Sequence, residues 1–444
     1  MGVLYGALLL LAWAAVLPYQ FVIGVLSGRP RAFARERLGL VVPPPAAAPG
    51  GGIWVHAVSV GEVRLALLLI AALRDRFPGL PVVLTTGTAT GRALALGTDR
   101  PAAARVDRVA ALPIDLPGPM GRFLARVRPR AVIIMETEIW PVMLQVCGRN
   151  GTPVAIVNGR ISPRAYRRYR FLRRFLAGAL RHVTLFAMQT AQDAARVRDL
   201  GAPAERVEVL GNLKFDLPVP VVGTGTVRRR IGLTTEPLFV AGSTDTGEES
   251  SILEAFRILR AAEPRVRLLI APRHPERFAA TGTLLRAAGL RVATWSALEA
   301  GTSAAPGDPG AGAPQPPWDA MLIDAIGVLP RLYAAADVVF VGGSLTRRGG
   351  QNLLEPASLG RPVLFGPHVD NFRAVADALI DAGGGFVVCD GAELGRLAVR
   401  FLADPAARGQ AGERARRVVE SNRGALQRTV DRLAVILDPR VPRP

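Results

Sequence analysis

The stretch Val338-Val-Phe-Val-Gly-Gly-Ser344, running on through Leu345-Thr-Arg-Arg-Gly-Gly-Gln-Asn-Leu-Leu-Glu-Pro356, decides the fold. A short β-branched run that ends in paired glycines and leads into a helical pattern reads as a buried strand, a tight turn and a helix start. Backbone N–H groups left unpaired at such a junction, together with the helix dipole, suit an anion, an effect worth roughly 0.3–1 kcal/mol at an exposed helix end. Gly343 and Ser344 supply those amides. Asn352 and Glu355 stand three apart on the helix expected to follow, where an amide and a carboxylate on one face suit ribose hydroxyls. The stretch therefore reads as a nucleotide site; the alternative is a tight turn whose glycines serve geometry alone.

Outward from this stretch the same grammar repeats. Ile53-Trp-Val-His-Ala-Val-Ser59 is strand-like and leads through Val60-Gly-Glu62 into a helical pattern over 63–76. Residues 81–86, 131–135 and 153–157 are further apolar strands separated by helical segments, and the pattern restarts at 237–241 and 266–271. Strands alternating with helices predict parallel sheets covered on both faces, with functional loops at the strands' C-terminal ends. The fold class is α/β, with two Rossmann-like domains facing a cleft. A first half over 28–220, a second over 221–415 and a last helical segment over 416–444 that packs back on the first half are expected. Residues 301–317, built only of Gly, Ala, Pro, Ser, Thr, Asp and Gln, read as a low-complexity insertion.

A chain of 444 residues, half of them hydrophobic, has ample core for two domains. Its 55 basic against 36 acidic residues give +19, which implies an anionic partner: nucleic acid, anionic lipid or a phosphorylated substrate. Residues 2–26 carry no charge and are long enough to cross a bilayer, and Arg29, Arg31, Arg35 and Arg37 follow at once. That flank predicts an uncleaved N-terminal membrane anchor over 1–27, with the downstream chain on the cytoplasmic side. The helical segment from Arg164 to His182 carries seven arginines with Tyr166, Tyr169, Phe171 and Phe175 among them. It suits anionic inner-leaflet headgroups, or else a solvated face with the aromatics in the core. No nucleic-acid module is recognisable. Cys147 and Cys389 read as reduced core residues, and the scattered histidines at 56, 182, 274 and 368 give no metal spacing, so no metal or other cofactor is expected.

Lys214 is the only lysine of the chain, which singles it out for a role that a planar guanidinium does not fill. Glu62, directly after a Ser-Val-Gly turn, is the candidate general base, because a carboxylate at a strand-to-helix turn is partly desolvated and gains proton affinity. Its alternative role is an acidic N-terminal residue favoured by the helix dipole. Glu136 and Glu138 in Met135-Glu-Thr-Glu-Ile-Trp-Pro141 offer one carboxylate to orient substrate and one to cap the helix after Pro141. In the second half Ser243 repeats the anion-site pattern, and Arg273 offers a planar fork for a phosphate. His274 reads as a helix-entry residue.

Six ordered motifs together resemble the 3-deoxy-D-manno-octulosonic acid (Kdo) transferases of lipopolysaccharide biosynthesis. They are His56-Ala-Val-Ser-Val-Gly-Glu62, Met135-Glu-Thr-Glu-Ile-Trp-Pro141, Asn158-Gly-Arg-Ile-Ser162, Gly211-Asn-Leu-Lys-Phe-Asp216, Pro272-Arg-His-Pro-Glu-Arg-Phe278 and Gly342-Gly-Ser through Glu355-Pro356. The resemblance implies a glycosyltransferase of the GT-B type, with an N-terminal acceptor domain and a C-terminal domain binding CMP-Kdo. It also implies inverting transfer of Kdo from CMP-Kdo to a glucosamine hydroxyl of the lipid A precursor at the cell inner membrane. Position by position, it implies Glu62 as the base and Glu136 and Lys214 as stabilisers of the transition state. The implied nucleotide contacts are Pro272 and Arg273, the segment Ile326, Gly327 and Val328, and the segment Asn352, Leu353, Leu354 and Glu355.

The pattern departs from the family in places. Asp324-Ala-Ile-Gly-Val-Leu329 lacks a polar and an acidic side chain, Asp245 stands where the family has a histidine, Val142 replaces an asparagine, and Gln351 replaces a histidine. Two alternatives stay open on the residues alone: a UDP-sugar transferase or epimerase of the same fold, and a catalytically inactive membrane-associated binding protein.

Overall fold

The computed structural model describes residues 35–40, 51–97, 104–136, 138–220, 222–301 and 318–438. The anchor expected over 1–27, most of the linker that follows it and the insertion from 302 onward lie outside the described residues. Among the described residues no helix is long and apolar enough to cross a membrane.

The chain divides into two compact units, one formed by residues up to Leu217 together with those from Arg423 onward, the other by Pro218–Asn422. The first unit is built on a seven-stranded sheet of β1 (Ile53–His56), β2 (Val82–Thr86), β3 (Arg108–Ala111), β4 (Ala131–Met135), β5 (Val154–Gly159), β6 (Leu185–Met188) and β7 (Val207–Val209). Its order is β3-β2-β1-β4-β5-β6-β7 and every pairing is parallel. Because side chains alternate along a strand, Trp54, Val132, Ile134, Val154 and Ile156 enter one apolar core. Ile53, Val55, Ile133, Met135, Ala155 and Val157 enter another on the opposite face. Burial on both faces explains why these strands read as unbroken apolar runs.

The second unit repeats the plan with β8 (Leu238–Thr244), β9 (Arg267–Pro272), β10 (Val292–Thr294), β11 (Ala320–Leu322), β12 (Val338–Val341), β13 (Val363–Phe365) and β14 (Gly385–Val387), in the order β10-β11-β9-β8-β12-β13-β14. All pairings are again parallel. The order reverses between β1 and β4 in the first sheet and between β8 and β12 in the second, where β11 is also inserted between β9 and β10 at the edge, and loops leaving neighbouring strands diverge at a reversal.

The C-terminal helical pattern is three helices, Gly391–Ala403, Pro405–Asn422 and Ala425–Leu437. Gly424, with φ +91°, breaks the last two apart where the chain returns to the first unit. Val430, Leu433 and Leu437 of the last helix join the core that holds Leu65, Leu69 and Leu73 of the helix Val60–Arg76. Cys147 is buried as expected, whereas Cys389 is exposed, because it lies on the loop just after β14 rather than in a strand.

On β8, a Cβ at Gly242 would overlap the hydroxyl of the buried Tyr333. Gly242→Ala is expected to destabilise the protein by about 1–3 kcal/mol, the usual cost of overpacking a filled core, as read by urea unfolding.

Candidate functional site

The switch point of the first sheet gathers four charged side chains. Glu62 closes a capping box at the start of the helix Val60–Arg76: the Ser59 hydroxyl accepts from the Glu62 N–H at 3.3 Å, and the Glu62 carboxylate accepts from Val58 N–H at 2.8 Å and from the Ser59 hydroxyl at 2.9 Å. The base expected from sequence and the dipole-favoured first-turn acid are thus the same residue. Among the described residues no cation lies within ion-pair distance of it. Burial pushes its proton affinity up, the Val58 N–H opposes, and the negative charge of Glu136 adds to the rise.

Glu136 follows directly on β4. Its N–H still donates to Val157 O at 2.8 Å, but its φ of +54° turns the side chain out of the strand. There it accepts from Arg160 Nε at 2.9 Å and faces Lys214 Nζ at 3.8 Å. The Lys214 ammonium is largely buried, and desolvation lowers its proton affinity while Glu136 holds it up. The 3₁₀ turn Leu213–Asp216 carries this lysine: Asn212 Oδ1 accepts from Lys214 N–H at 3.0 Å, and Asn158 Oδ1 accepts from Leu213 N–H at 3.0 Å. The structure therefore unites Glu62, Glu136 and Lys214.

Neither Glu136 nor Glu138 caps the following helix, contrary to the sequence expectation that one of the two does. The first amides of Pro141–Arg149, those of Val142 and Met143, donate to the Asp115 carboxylate at 3.0 and 2.7 Å. That carboxylate arrives from the loop after β3, a distant partner that local spacing does not reveal. Half-buried Glu138 is pushed up to about 7 by desolvation and by the charges of Glu62 and Glu136. Sequence reasoning also missed Arg160 as the partner of Glu136, although it stands inside the Asn158-Gly-Arg motif. His56 was missed as well: its Nδ1 meets Thr85 Oγ1 at 2.9 Å, its Nε2 is buried without a partner, and its ring lies edge-on to Trp140.

In the second unit the glycine-rich turn corrects the sequence reading. The amides of Gly343, Ser344 and Leu345 do not point outward unpaired: they donate to the carboxylate of Glu248 at 2.7, 2.9 and 2.9 Å, and Asp245 N–H donates to it at 2.9 Å. Glu248 is fully buried and fills from within the anion hole that spacing alone assigns to a ligand. The Ser344 hydroxyl is likewise engaged, donating to Val341 O at 2.6 Å and accepting from Gly366 N–H at 2.8 Å. Asn352 and Glu355 do not share a helix, because the helix there is only Leu354–Ser358. Asn352 precedes it, with Oδ1 accepting from Leu354 N–H at 3.1 Å and Nδ2 donating to Glu355 at 3.0 Å, while Leu353 and Leu354 are buried.

The other residues expected to bind nucleotide also stand at strand ends. Ser243, with φ +53°, sits within β8 beside its end, and Pro272 closes β9. Arg273 N–H donates to Thr244 O at 2.9 Å, tying the ends of β8 and β9 together. Ile326 is 65% exposed beside Gly327 and Val328, on the loop between β11 and β12.

The basic segment splits into the helices Pro163–Phe171 and Arg173–Leu180. Tyr166, Tyr169 and Phe175 pack against the core, whereas Phe171 is 91% and Leu172 55% exposed, flanked by exposed Arg167, Arg168, Arg170, Arg173 and Arg174. The two sequence readings thus divide between the aromatics, three turned inward and one outward.

Residues 33–217 match the family model described as 3-deoxy-D-manno-octulosonic-acid transferase (kdotransferase). The chain is 41% identical over 404 residues to the 3-deoxy-D-manno-octulosonic acid transferase of Bordetella pertussis, covering 89% of each chain. It is 33% identical over 449 residues to that of Haemophilus influenzae, covering 98% of this chain and 99% of the other. Its fold is similar to an S. aureus MnaA–UDP complex, with TM-score 0.56 and 13% identity over 89% of this chain and 99% of the other. It is also similar to Anabaena HepE in complex with UDP and glucose, with TM-score 0.51 and 14% identity over 86% of this chain and 98% of the other.

Burial lowers the His56 pKa from 6.5 to about 4, so the ring is neutral in the folded protein. Between these values the unfolded chain binds a proton that the fold refuses, and stability is expected to fall by roughly 3 kcal/mol as pH drops through that window. Denaturant midpoints measured across it should show the slope, and His56→Gln should flatten it.

Proposed function

The chain belongs to the 3-deoxy-D-manno-octulosonic acid (Kdo) transferase family, and on that premise we propose that Glu62 is the base of an inverting transfer to a glucosamine hydroxyl of the lipid A precursor. The protein is a glycosyltransferase that moves Kdo from CMP-Kdo in lipopolysaccharide core biosynthesis. The observation that carries the assignment of the base is the buried Glu62 carboxylate. It is held only by neutral N–H and O–H donors, while Arg160 and Lys214 both face its neighbour Glu136. A carboxylate with no cation in direct ion-pair contact, among the described residues, keeps a raised proton affinity of the kind that base catalysis needs.

In the proposed step Glu62 takes the hydroxyl proton as the oxygen attacks the anomeric carbon of Kdo, and the C–O bond to CMP breaks with its electron pair leaving on the phosphate. Lys214 and Glu136 form a fixed dipole that meets the charge redistributed in the transition state. The second unit offers the nucleotide Pro272, Arg273, the segment Ile326–Val328, and Asn352 with Glu355. The Gly343 and Ser344 amides serve that site indirectly, through the loop they brace on Glu248. No dissociable metal or other cofactor enters this step.

Location belongs to the same proposal. The uncharged run over residues 2–26 with its arginine flank supports an anchor in the cell inner membrane that keeps the protein on the cytoplasmic side. Exposed Phe171 and Leu172 among five arginines support contact with anionic inner-leaflet lipid.

Glu62→Ala is expected to lower kcat by roughly 10²–10⁴-fold while CMP binding, measured by calorimetry, is retained. An alanine variant as active as wild type removes Glu62 from the role. Exchange of Phe171 and Leu172 for serine is expected to weaken sedimentation with vesicles of anionic lipid, without loss of CMP binding.

A further inference from the structure

The loop after β2 clasps the loop that carries Glu62. Val58 lies beyond the paired residues of β1, and two side chains take its carbonyl. The Thr86 hydroxyl donates to Val58 O at 3.1 Å and the Thr88 hydroxyl at 3.2 Å. Together they fill both lone pairs of that oxygen and fix it in two directions. Thr86 is buried, and Thr88 Oγ1 also accepts from Gly91 N–H at 3.0 Å, capping the helix Ala89–Leu96. Gly91 leaves the hydroxyls their room. A Cβ there would stand 2.7 Å from both of them and 3.4 Å from Val63, on the helix that bears Glu62. Alanine is the better helix former, so the missing side chain serves the pair of threonines.

The same carbonyl stands at the centre of the cradle that holds Glu62. Val58 N–H and Ser59 N–H donate to the Glu62 carboxylate at 2.8 and 3.4 Å, and the Ser59 hydroxyl donates at 2.9 Å. These three donors lie to either side of the Val58 carbonyl, and Ser59 N–H shares its planar peptide unit. Fixing the oxygen therefore fixes the plane that aims Ser59 N–H, and a hydroxyl donating to it polarises that N–H toward the carboxylate. We infer that Thr86 and Thr88 are positioning residues for the reaction, hydroxyls that hold the donors of Glu62 and through them the direction of its carboxylate. The inference rests on the reading of Glu62 as the base. A base must face the proton it removes within hydrogen-bond reach, and a misplacement of about 1 Å can cost on the order of 10²-fold in rate. Both threonines act through the Val58–Ser59 peptide rather than through substrate.

The test uses the full-length protein with CMP-Kdo and the lipid A precursor. Thr86→Val keeps the shape of the side chain and removes the hydroxyl. It is expected to lower kcat about 10- to 100-fold while KM for either substrate stays within about twofold, and Thr86→Ser is expected to recover most of the loss. A role confined to stability would instead reduce the active fraction alike in every background. A double-mutant cycle separates the two. In Glu62→Ala the further change Thr86→Val is expected to alter kcat by less than about twofold, because the group it positions is gone. Should Thr86→Val not fold, Thr88→Ala and its conservative partner Thr88→Ser take its place in the same cycle. Undiminished kcat in Thr86→Val, or an equal loss in both backgrounds, overturns the inference and leaves Glu62 as the base. Full activity of Glu62→Ala, read from the single variant, overturns the assignment of the base and this inference with it.

Discussion

Parallel pairing of β1 with both β2 and β4 forces consecutive crossovers to opposite sides of the strand, so the loops leaving β1 and β4 part company just where their backbones end. The loop after β1 delivers Glu62 through the capping box, and the loop after β4 delivers Glu136 through a left-handed residue. Asn158, at the end of the neighbouring β5 and also left-handed with φ +57°, holds the turn that carries Lys214. Three strand ends thus fix three ionisable groups with short spans of chain. Such anchoring is the rigidity a preorganised electrostatic site needs.

The two units handle buried negative charge differently. In the first, Glu136 is compensated by Arg160 and Lys214, and the remaining carboxylates keep raised proton affinity. In the second, no cation among the described residues lies within ion-pair distance of Glu248, which is satisfied by four backbone amides gathered from the turns after β8 and β12. A carboxylate held by four amides is fixed in place. It ties the two loops together as a bound anion would.

Much of this was legible in the sequence. Strands such as 131–135 read clearly because parallel strands buried on both faces leave no polar alternation to confuse the pattern. Short strands such as β14, of three residues beginning with glycine, carry too little pattern to find. Glu62 and Lys214 stood out, one by its place after a tight turn and the other by being the only lysine. What remained hidden depends on long-range pairing: Asp115 capping a helix 27 residues away, Glu248 reaching Ser344 across 96 residues, and Arg160 folding back to Glu136. The glycine-rich turn misled because a Gly-Gly-Ser run looks the same whether its amides hold a ligand or a carboxylate of the same chain. Local spacing reports that amides are available and says nothing of who claims them.

Asp216 sits on the same 3₁₀ turn as Lys214 and accepts from Gly424 and Leu426 N–H at 2.7 and 2.8 Å, capping the final helix Ala425–Leu437. That helix also lies in the core beneath the Glu62 helix. During synthesis the turn bearing the lysine leaves the ribosome some two hundred residues before the segment that locks it. The first unit therefore waits, with part of its apolar surface uncovered, until the helix Ala425–Leu437 has emerged. The Lys214 turn is locked in this way only after the whole of the intervening second unit has been synthesised.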